Sequence, residues 1–322
     1  MTPKVSWPLC YRIIGGKANI AHQFSAILHS CGFLPSSESS DITIDLSPAT
    51  PAADLSRPCI TMLSWGDVSV TGDAEHICFN YQEWQLELDM RTLTLKCWGP
   101  DDELPDTLNF REFFLLTPLL FLMHRFGYFE MHAAACVLEE HGYLFVGPSG
   151  SGKTSNLLSL IPLGAKYLSD DAVVIAPSRG GGVEVMGLRR SFSLKLDYLQ
   201  HDPELANFAT EVIRGEEKRR IDPRQIWPAQ YAAAVRPRFI ILCKLGDQPA
   251  SEIIPVSRTE ALVRLIGSTP WIAFDQSTAA DHLRVFCSLV ESCRTFELRA
   301  GQDVFRNGTR LASLLAPKAL AC

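Results

Sequence analysis

The sequence predicts an α/β protein of the α+β kind, in which a core of mixed β-sheet with flanking helices follows a smaller β-rich region. Three observations lead there. An apolar, β-branched and aromatic segment, Tyr143-Leu144-Phe145-Val146, runs into a glycine-rich turn and then into a helix-like stretch, Asn156 to Ile161. Short segments of alternating apolar and polar residues occupy the N-terminal third. Between these two parts lies a continuous apolar run.

In the N-terminal third, Asp41 to Leu46, Trp84 to Asp89 and Leu93 to Trp98 each alternate with period two and are separated by turn-prone residues, the pattern of half-buried antiparallel strands. Residues 35–58 are rich in Ser, Pro and Asp, so part of that stretch reads as an exposed loop, and Gly15-Gly16 reads as a turn. The apolar run Phe113 to Met123 covers eleven positions between Arg111-Glu112 and His124-Arg125. That is well short of a membrane span. It predicts a buried helix, with Pro118 either kinking it or dividing it in two. The expected organisation is therefore a β-rich domain over 1–108, a linking helix over 109–126 and a larger domain over 127–322.

The turn itself is Gly147-Pro148-Ser149-Gly150-Ser151-Gly152-Lys153-Thr154, a complete match to the phosphate-loop (Walker A) pattern G-x-x-x-x-G-K-[ST]. The strand before it and the helix after it are the context that gives the letters meaning. Glycines allow backbone N–H groups to turn inward around phosphate oxygens, and the following helix offers its positive end to the same charge. Lys153 is suited to bridge the outer phosphates and Thr154 to offer its hydroxyl to Mg²⁺.

With 322 residues and 47% hydrophobic composition, the chain can bury one large core or two ordinary ones. Its formal net charge of −6 argues against a general nucleic-acid or anionic-membrane surface. Ten cysteines are scattered without a C-x-x-C pair, and no basic-then-apolar leader opens the sequence. Reduced thiols in a cytoplasmic protein are the expectation. A homo-oligomer is compatible with the sequence, which does not fix the oligomeric state.

Downstream, Ala165 to Ile175 contains Asp170-Asp171, with Asp171 eighteen residues after Lys153. Beside a phosphate loop, one carboxylate can organise Mg²⁺ or its waters while the other accepts the proton of a substrate hydroxyl. His132 starts a strand, Ala133 to Leu138, whose hairpin through Glu139-Glu140-His141-Gly142 leads into the loop's own strand. If those strands pair, His132 approaches the reacting phosphate.

His132, Gly147 to Thr154 and Asp170-Asp171 together resemble the catalytic core of HPr kinase/phosphorylase and related serine kinases. Met131-His132 with Ala133-Ala134-Ala135, followed by Gly150 to Thr154, is also similar to the nucleotide core of phosphoenolpyruvate carboxykinase. The resemblance covers about forty residues clearly and continues more weakly through Gly187 to Lys195 and Phe239 to Thr269. It implies a P-loop kinase that uses ATP and Mg²⁺. Lys153 would stabilise the transferred phosphate, Thr154 would ligate the metal with support from Asp170, Asp171 would accept the proton, and His132 would orient Asp171. It also implies a Ser or Thr hydroxyl as acceptor, on a peptide or protein or, alternatively, a small molecule. The glutamate-bearing signature of true HPr kinases and the arginine of their reverse reaction are not located here. The chain looks closer to divergent members that phosphorylate other acceptors, including a precursor serine in peptide maturation.

Two basic clusters are candidates for contacting nucleotide or acceptor. Arg189-Arg190 with Lys195 is the better placed, following the hairpin marked by Gly180-Gly181-Gly182, so Arg190 and Lys195 are the phosphate or substrate candidates. Lys218-Arg219-Arg220 is the second candidate, since charged runs are more often solvated faces. Phe239 to Leu242 reads as a core strand and Thr259 to Leu265 as a helix, neither with separate chemistry. Competing readings are a nucleotide-hydrolysing switch, in which water replaces the hydroxyl, a nucleotide-binding module without turnover, and a true HPr kinase.

Overall fold

The computed structural model describes residues 7–47, 60–73, 75–100, 103–107, 109–188, 191–209, 218–269, 272, 275–305, 307–317 and 319–321. The fold is mixed α/β with several sheets. Eight strands form the first sheet: β1 (Cys10–Ile14), β2 (Leu34–Pro35), β3 (Ile42–Asp45), β4 (Ile60–Trp65), β5 (Val68–Gly72), β6 (His76–Tyr81), β7 (Trp84–Asp89) and β8 (Thr94–Trp98), in the order β2-β1-β3-β8-β7-β6-β5-β4. From β4 to β8 neighbours are antiparallel, and along β7 Trp84, Leu86 and Leu88 are buried while Gln85, Glu87 and Asp89 are less so. The expectation of antiparallel pairing fails for β3, which runs parallel to both β1 and β8. Helix α1 (Ala18–Ser30) is the reason: it carries the chain back so that β2 runs parallel to β1, and the loop after Pro35 then delivers β3 in the same direction on the other side.

The apolar run is helical and changes pitch. A π-helix, Asn109–Leu116, passes directly into α2 (Thr117–Arg125). Thr117 Oγ1 donates to the Glu112 carbonyl at 3.2 Å, and Pro118, which has no N–H to give, stands where the pitch changes from π to α. Phe110 stacks on Phe114 at 4.9 Å and meets Tyr81 and Trp84 edge-on, fastening this helix to the first sheet. The same core takes in Val174, Met186 and Leu188 from further along the chain.

The remaining strands are β9 (Phe129–Met131), β10 (Ala133–Leu138), β11 (His141–Val146), β12 (Lys166–Ser169), β13 (Val173–Pro177), β14 (Val183–Gly187), β15 (Phe192–Lys195), β16 (Lys218–Ile221), β17 (Ala234–Val235), β18 (Pro237–Leu245), β19 (Glu252–Pro255) and β20 (Arg294–Ala300). The central sheet is β12-β10-β11-β18-β20-β19, mixed in direction, with β11, β18 and β20 parallel neighbours. A second sheet is β17-β14-β13-β9, and β15-β16 is a separate two-stranded ribbon. On one face of the central sheet α3 (Lys153–Leu160) and the helix Gly308–Leu315 bury Leu157, Leu160, Leu311 and Leu315, and on the other face lie the helices Arg258–Gly267 and Ala279–Ser292. Each fully buried leucine contributes about 1.5–3 kcal/mol. That anchoring fixes the helix whose first residue is Lys153.

Among the described residues, no helix is long and apolar enough to cross a membrane. Asn307 of the Asn307-Gly308-Thr309 triplet caps the helix Gly308–Leu315, accepting from Arg310 N at 3.0 Å.

Candidate functional site

The hairpin β10–β11 turns at Glu139 and Glu140, both with positive φ (48° and 67°), as a tight two-residue connection requires. Its register pairs Ala133 with Val146, which sets His132 level with Gly147 at the start of the glycine-rich loop.

His132 is also the single residue between β9 and β10, which belong to different sheets. Asp170-Asp171-Ala172 makes the same passage from β12 to β13. Ser169 pairs with Ala135 in one sheet, and Val173 with Met131 in the other. The two crossings therefore lie side by side, and His132 Nδ1 comes within 3.3 Å of Asp171 Oδ1.

The two aspartates have different environments. Asp171 faces a cavity of about 460 Å³ that the glycine-rich loop, Lys153 and His132 also line. Asp170 is buried behind it, and its Oδ2 accepts from Ser193 N at 3.0 Å and from Thr154 Oγ1 at 3.3 Å. One carboxylate is thus available to a ligand in the cavity, while the other holds Thr154 and strand β15 in position.

Within the loop, Gly147, Gly150 and Gly152 have φ of 159°, 82° and 94°. The last two lie in the left-handed region that disfavours side chains. A Cβ at Gly147 would lie 2.8 Å from the Cys243 carbonyl, so the loop is laid directly against the end of β18. Lys153 is buried, and its Nζ donates to the carbonyls of Gly147 at 2.7 Å and Pro148 at 3.0 Å. Burial lowers the Lys153 pKa from its ordinary value, and the charge of Asp171 opposes that shift.

Lys195 lines the cavity, and a Cβ on Gly150 would come within 3.9 Å of its Nζ. Arg190, with Arg189, lies outside the described residues. Lys218-Arg219-Arg220, the second of the two candidate clusters, is half-buried rather than a wholly solvated run. Strands β15 and β16 pair Lys195 directly with Lys218, which also lines the cavity, while Arg220 Nη2 meets Glu112 Oε1 at 3.1 Å. Phe192-Ser193-Leu194-Lys195 and Lys218-Arg219-Arg220-Ile221 are matching halves of one ribbon, but the long intervening segment hides this in the sequence. The chain beyond Phe239, to which no site role was given, also reaches the cavity through Leu245, Val304 and Phe305.

The Thr154 hydroxyl, which lines the cavity, is a hard oxygen donor of the kind Mg²⁺ takes while retaining several waters, whereas Asp170, expected to ligate the metal too, lies behind the cavity and holds that hydroxyl in place. The donor set fits that ion with a phosphate supplying further oxygens. No group of three or more His, Cys, Asp or Glu residues among those described could hold a metal by itself.

No family model and no curated protein matches the chain. Among solved structures it is similar to the HPr(Ser) kinase/phosphatase from Coxiella burnetii, with 12% identity, 60% of this chain and 97% of that chain covered, and a TM-score of 0.31. A likeness at that level carries no functional argument.

Proposed function

We propose that the protein is an ATP-dependent kinase that transfers the γ-phosphate to a hydroxyl, with a serine of a peptide or protein as the preferred acceptor. The observation that carries this reading is the His132–Asp171 contact of 3.3 Å on the wall of the cavity whose floor is the glycine-rich loop and Lys153. A carboxylate oriented by an imidazole beside a phosphate cradle is a positioned base for an O–H. In this reading residues 1–108 form a β-rich domain, 109–126 the linking helix and 127–322 the catalytic domain.

The acceptor oxygen attacks the γ-phosphorus, the bond to the β-phosphate oxygen breaks, and Asp171 takes the acceptor's proton, giving a phosphoester and ADP. His132 holds the Asp171 carboxylate in place. Lys153 exchanges the carbonyls of Gly147 and Pro148 for phosphate oxygens, a trade favoured by charge. Thr154 would hold Mg²⁺, with Asp170 behind it fixing the hydroxyl, and the ion would supply neutralisation of phosphate charge. The remaining work is alignment and electrostatics.

Purified protein with Mg-ATP and serine-bearing peptides, free serine or HPr, followed by mass spectrometry, tests the reading. Transfer that requires an acceptor and vanishes in Lys153→Ala is expected. Phosphate release with no labelled acceptor would show a hydrolase instead, and binding without either product a module without turnover.

Lys195 and Lys218 yield a second expectation. Like charges directly opposite one another weaken a two-stranded ribbon, whereas a phosphate between them would be bound by both. Lys218→Met should therefore leave the melting temperature unchanged or raise it while weakening ATP binding about tenfold, read by calorimetry. A melting temperature lowered by several degrees with unchanged affinity would assign the pair to structure rather than to the ligand.

A further inference from the structure

Three neighbouring parallel strands, β11, β18 and β20, open their carboxyl ends on one edge of the central sheet. Ligands of α/β sheets sit in the crevice at that edge. After β11 comes the glycine-rich loop, β18 ends in Leu245, and β20 is followed by Gly301, the short turn Gln302–Val304 and Phe305.

Leu245 and Phe305 are large apolar side chains left 58% and 65% exposed, and with buried Val304 they wall the same cavity as the loop. Single exposed leucines are common on protein surfaces, but apolar groups gathered in one cavity mark a binding surface. A Cβ at Gly152 would lie 3.2 Å from Leu245 Cδ2, so this apolar wall begins where the loop ends. The segment is held in place along α3, because Gly308 packs so closely on the Ser159 carbonyl that a side chain there would not fit.

We infer that Leu245, Val304 and Phe305 form the shelf on which the base of the nucleotide lies, with its phosphates in the loop. The inference rests on the nucleotide reading proposed above and extends it to the orientation of the ligand. A purine presents a flat apolar face that such a shelf stacks against, and none of the three side chains carries a group that hydrogen-bonds the edge of the base. The shelf therefore holds adenine and guanine alike and contributes affinity rather than choice between them.

Calorimetry with Mg-ATP, Mg-GTP and inorganic tripolyphosphate tests this on wild type, Phe305→Ala, Leu245→Ala/Phe305→Ala and Phe305→Trp. Stacking of a base on an aromatic ring is worth enough to give a loss of about 5-fold to 100-fold on truncation. Phe305→Ala should show that loss for ATP and GTP equally, none for tripolyphosphate, and Phe305→Trp should restore binding. The shelf is overturned if ATP affinity stays within twofold in the double variant, if tripolyphosphate loses as much as ATP, or if wild type binds tripolyphosphate as tightly as ATP. Wild-type protein that binds neither ligand would instead sink the nucleotide reading, and the shelf with it.

Discussion

Replacing Asp171 with Asn should reduce acceptor phosphorylation by about 10²- to 10⁴-fold while ATP affinity stays within a few-fold of wild type. The substitution keeps the shape of the side chain and its reach to His132 Nδ1, now 3.3 Å from Oδ1, but an amide cannot take a proton from a hydroxyl. Asp171 lies at the passage between the two sheets on the cavity wall, less buried than Asp170. The fold should therefore tolerate the change, and a melting curve close to wild type is the control. Asp170→Asn is the informative contrast. That carboxylate is buried and accepts from Ser193 N and the Thr154 hydroxyl, so its loss should disturb β15 and the start of α3 as well as turnover. Single-turnover assays separate the two effects, because a base acts on the transfer step and a positioning group also moves nucleotide affinity. Full activity in Asp171→Asn would end the case for a carboxylate base and with it the kinase reading of this cavity.

Much of the local structure was legible because it is written in local signals. The strand into the glycine-rich turn, the hairpin before it, the helix after it and the hairpin at Gly180 to Gly182 each follow from residues close together in the chain. The segments that alternated in the N-terminal third are strands, but alternation reports only that one face is buried. It says nothing of the direction of a neighbour, so the parallel pairing of β3 depended on α1 and could not be read.

The cavity was legible in part for the same reason. Adjacent residues with a chemical signature, Lys153-Thr154 and Asp170-Asp171, were found by pattern, and His132 by its place on the hairpin. Lys218 ranked only second among the basic clusters because what brings it to Lys195 is a pairing between strands far apart in sequence. Leu245 and Phe305 carry no signature at all, since an apolar residue at a strand end looks in sequence like one more core residue. Their exposure is visible only in three dimensions.

Asp275→Ala should cost about 3–5 kcal/mol of folding stability, measured by denaturant unfolding at pH 7. Asp275 is buried, and its Oδ2 meets His124 Nδ1 at 2.9 Å and accepts from Thr278 Oγ1 at 2.7 Å, while Oδ1 accepts from Ser277 Oγ at 2.6 Å. Arg125 Nη1 stands 3.5 Å from the same carboxylate. Burial raises the Asp275 carboxyl, but the His124 contact and the two hydroxyls outweigh it and hold the pKa down at about 2. Removing the carboxylate leaves the buried His124 and Thr278 without this partner where α2 meets the turn before the helix Ala279–Ser292, while Ser277 and Arg125 can turn to water. His282 adjoins the cluster, stacked on Phe129 at 4.7 Å and with its ring centre 5.5 Å from that of His124. Burial, then the neighbouring His124, pushes its pKa down to about 3, against the pull of Asp275. The unfolded chain protonates His282 below about pH 6.5 and the native protein does not, so stability falls with acid at up to about 1.4 kcal/mol per pH unit from there towards pH 3. What Asp275 contributes is complete above its unfolded value near pH 4 and is lost only as the pH falls towards 2, so of these two groups His282 alone acts between pH 6.5 and 4. His282→Phe, which keeps the ring contacts and removes the titration, should flatten the stability profile across that window relative to wild type. Parallel profiles for the two proteins, or a loss below about 1 kcal/mol in Asp275→Ala, would show that this buried cluster is not what ties the helix to the sheet.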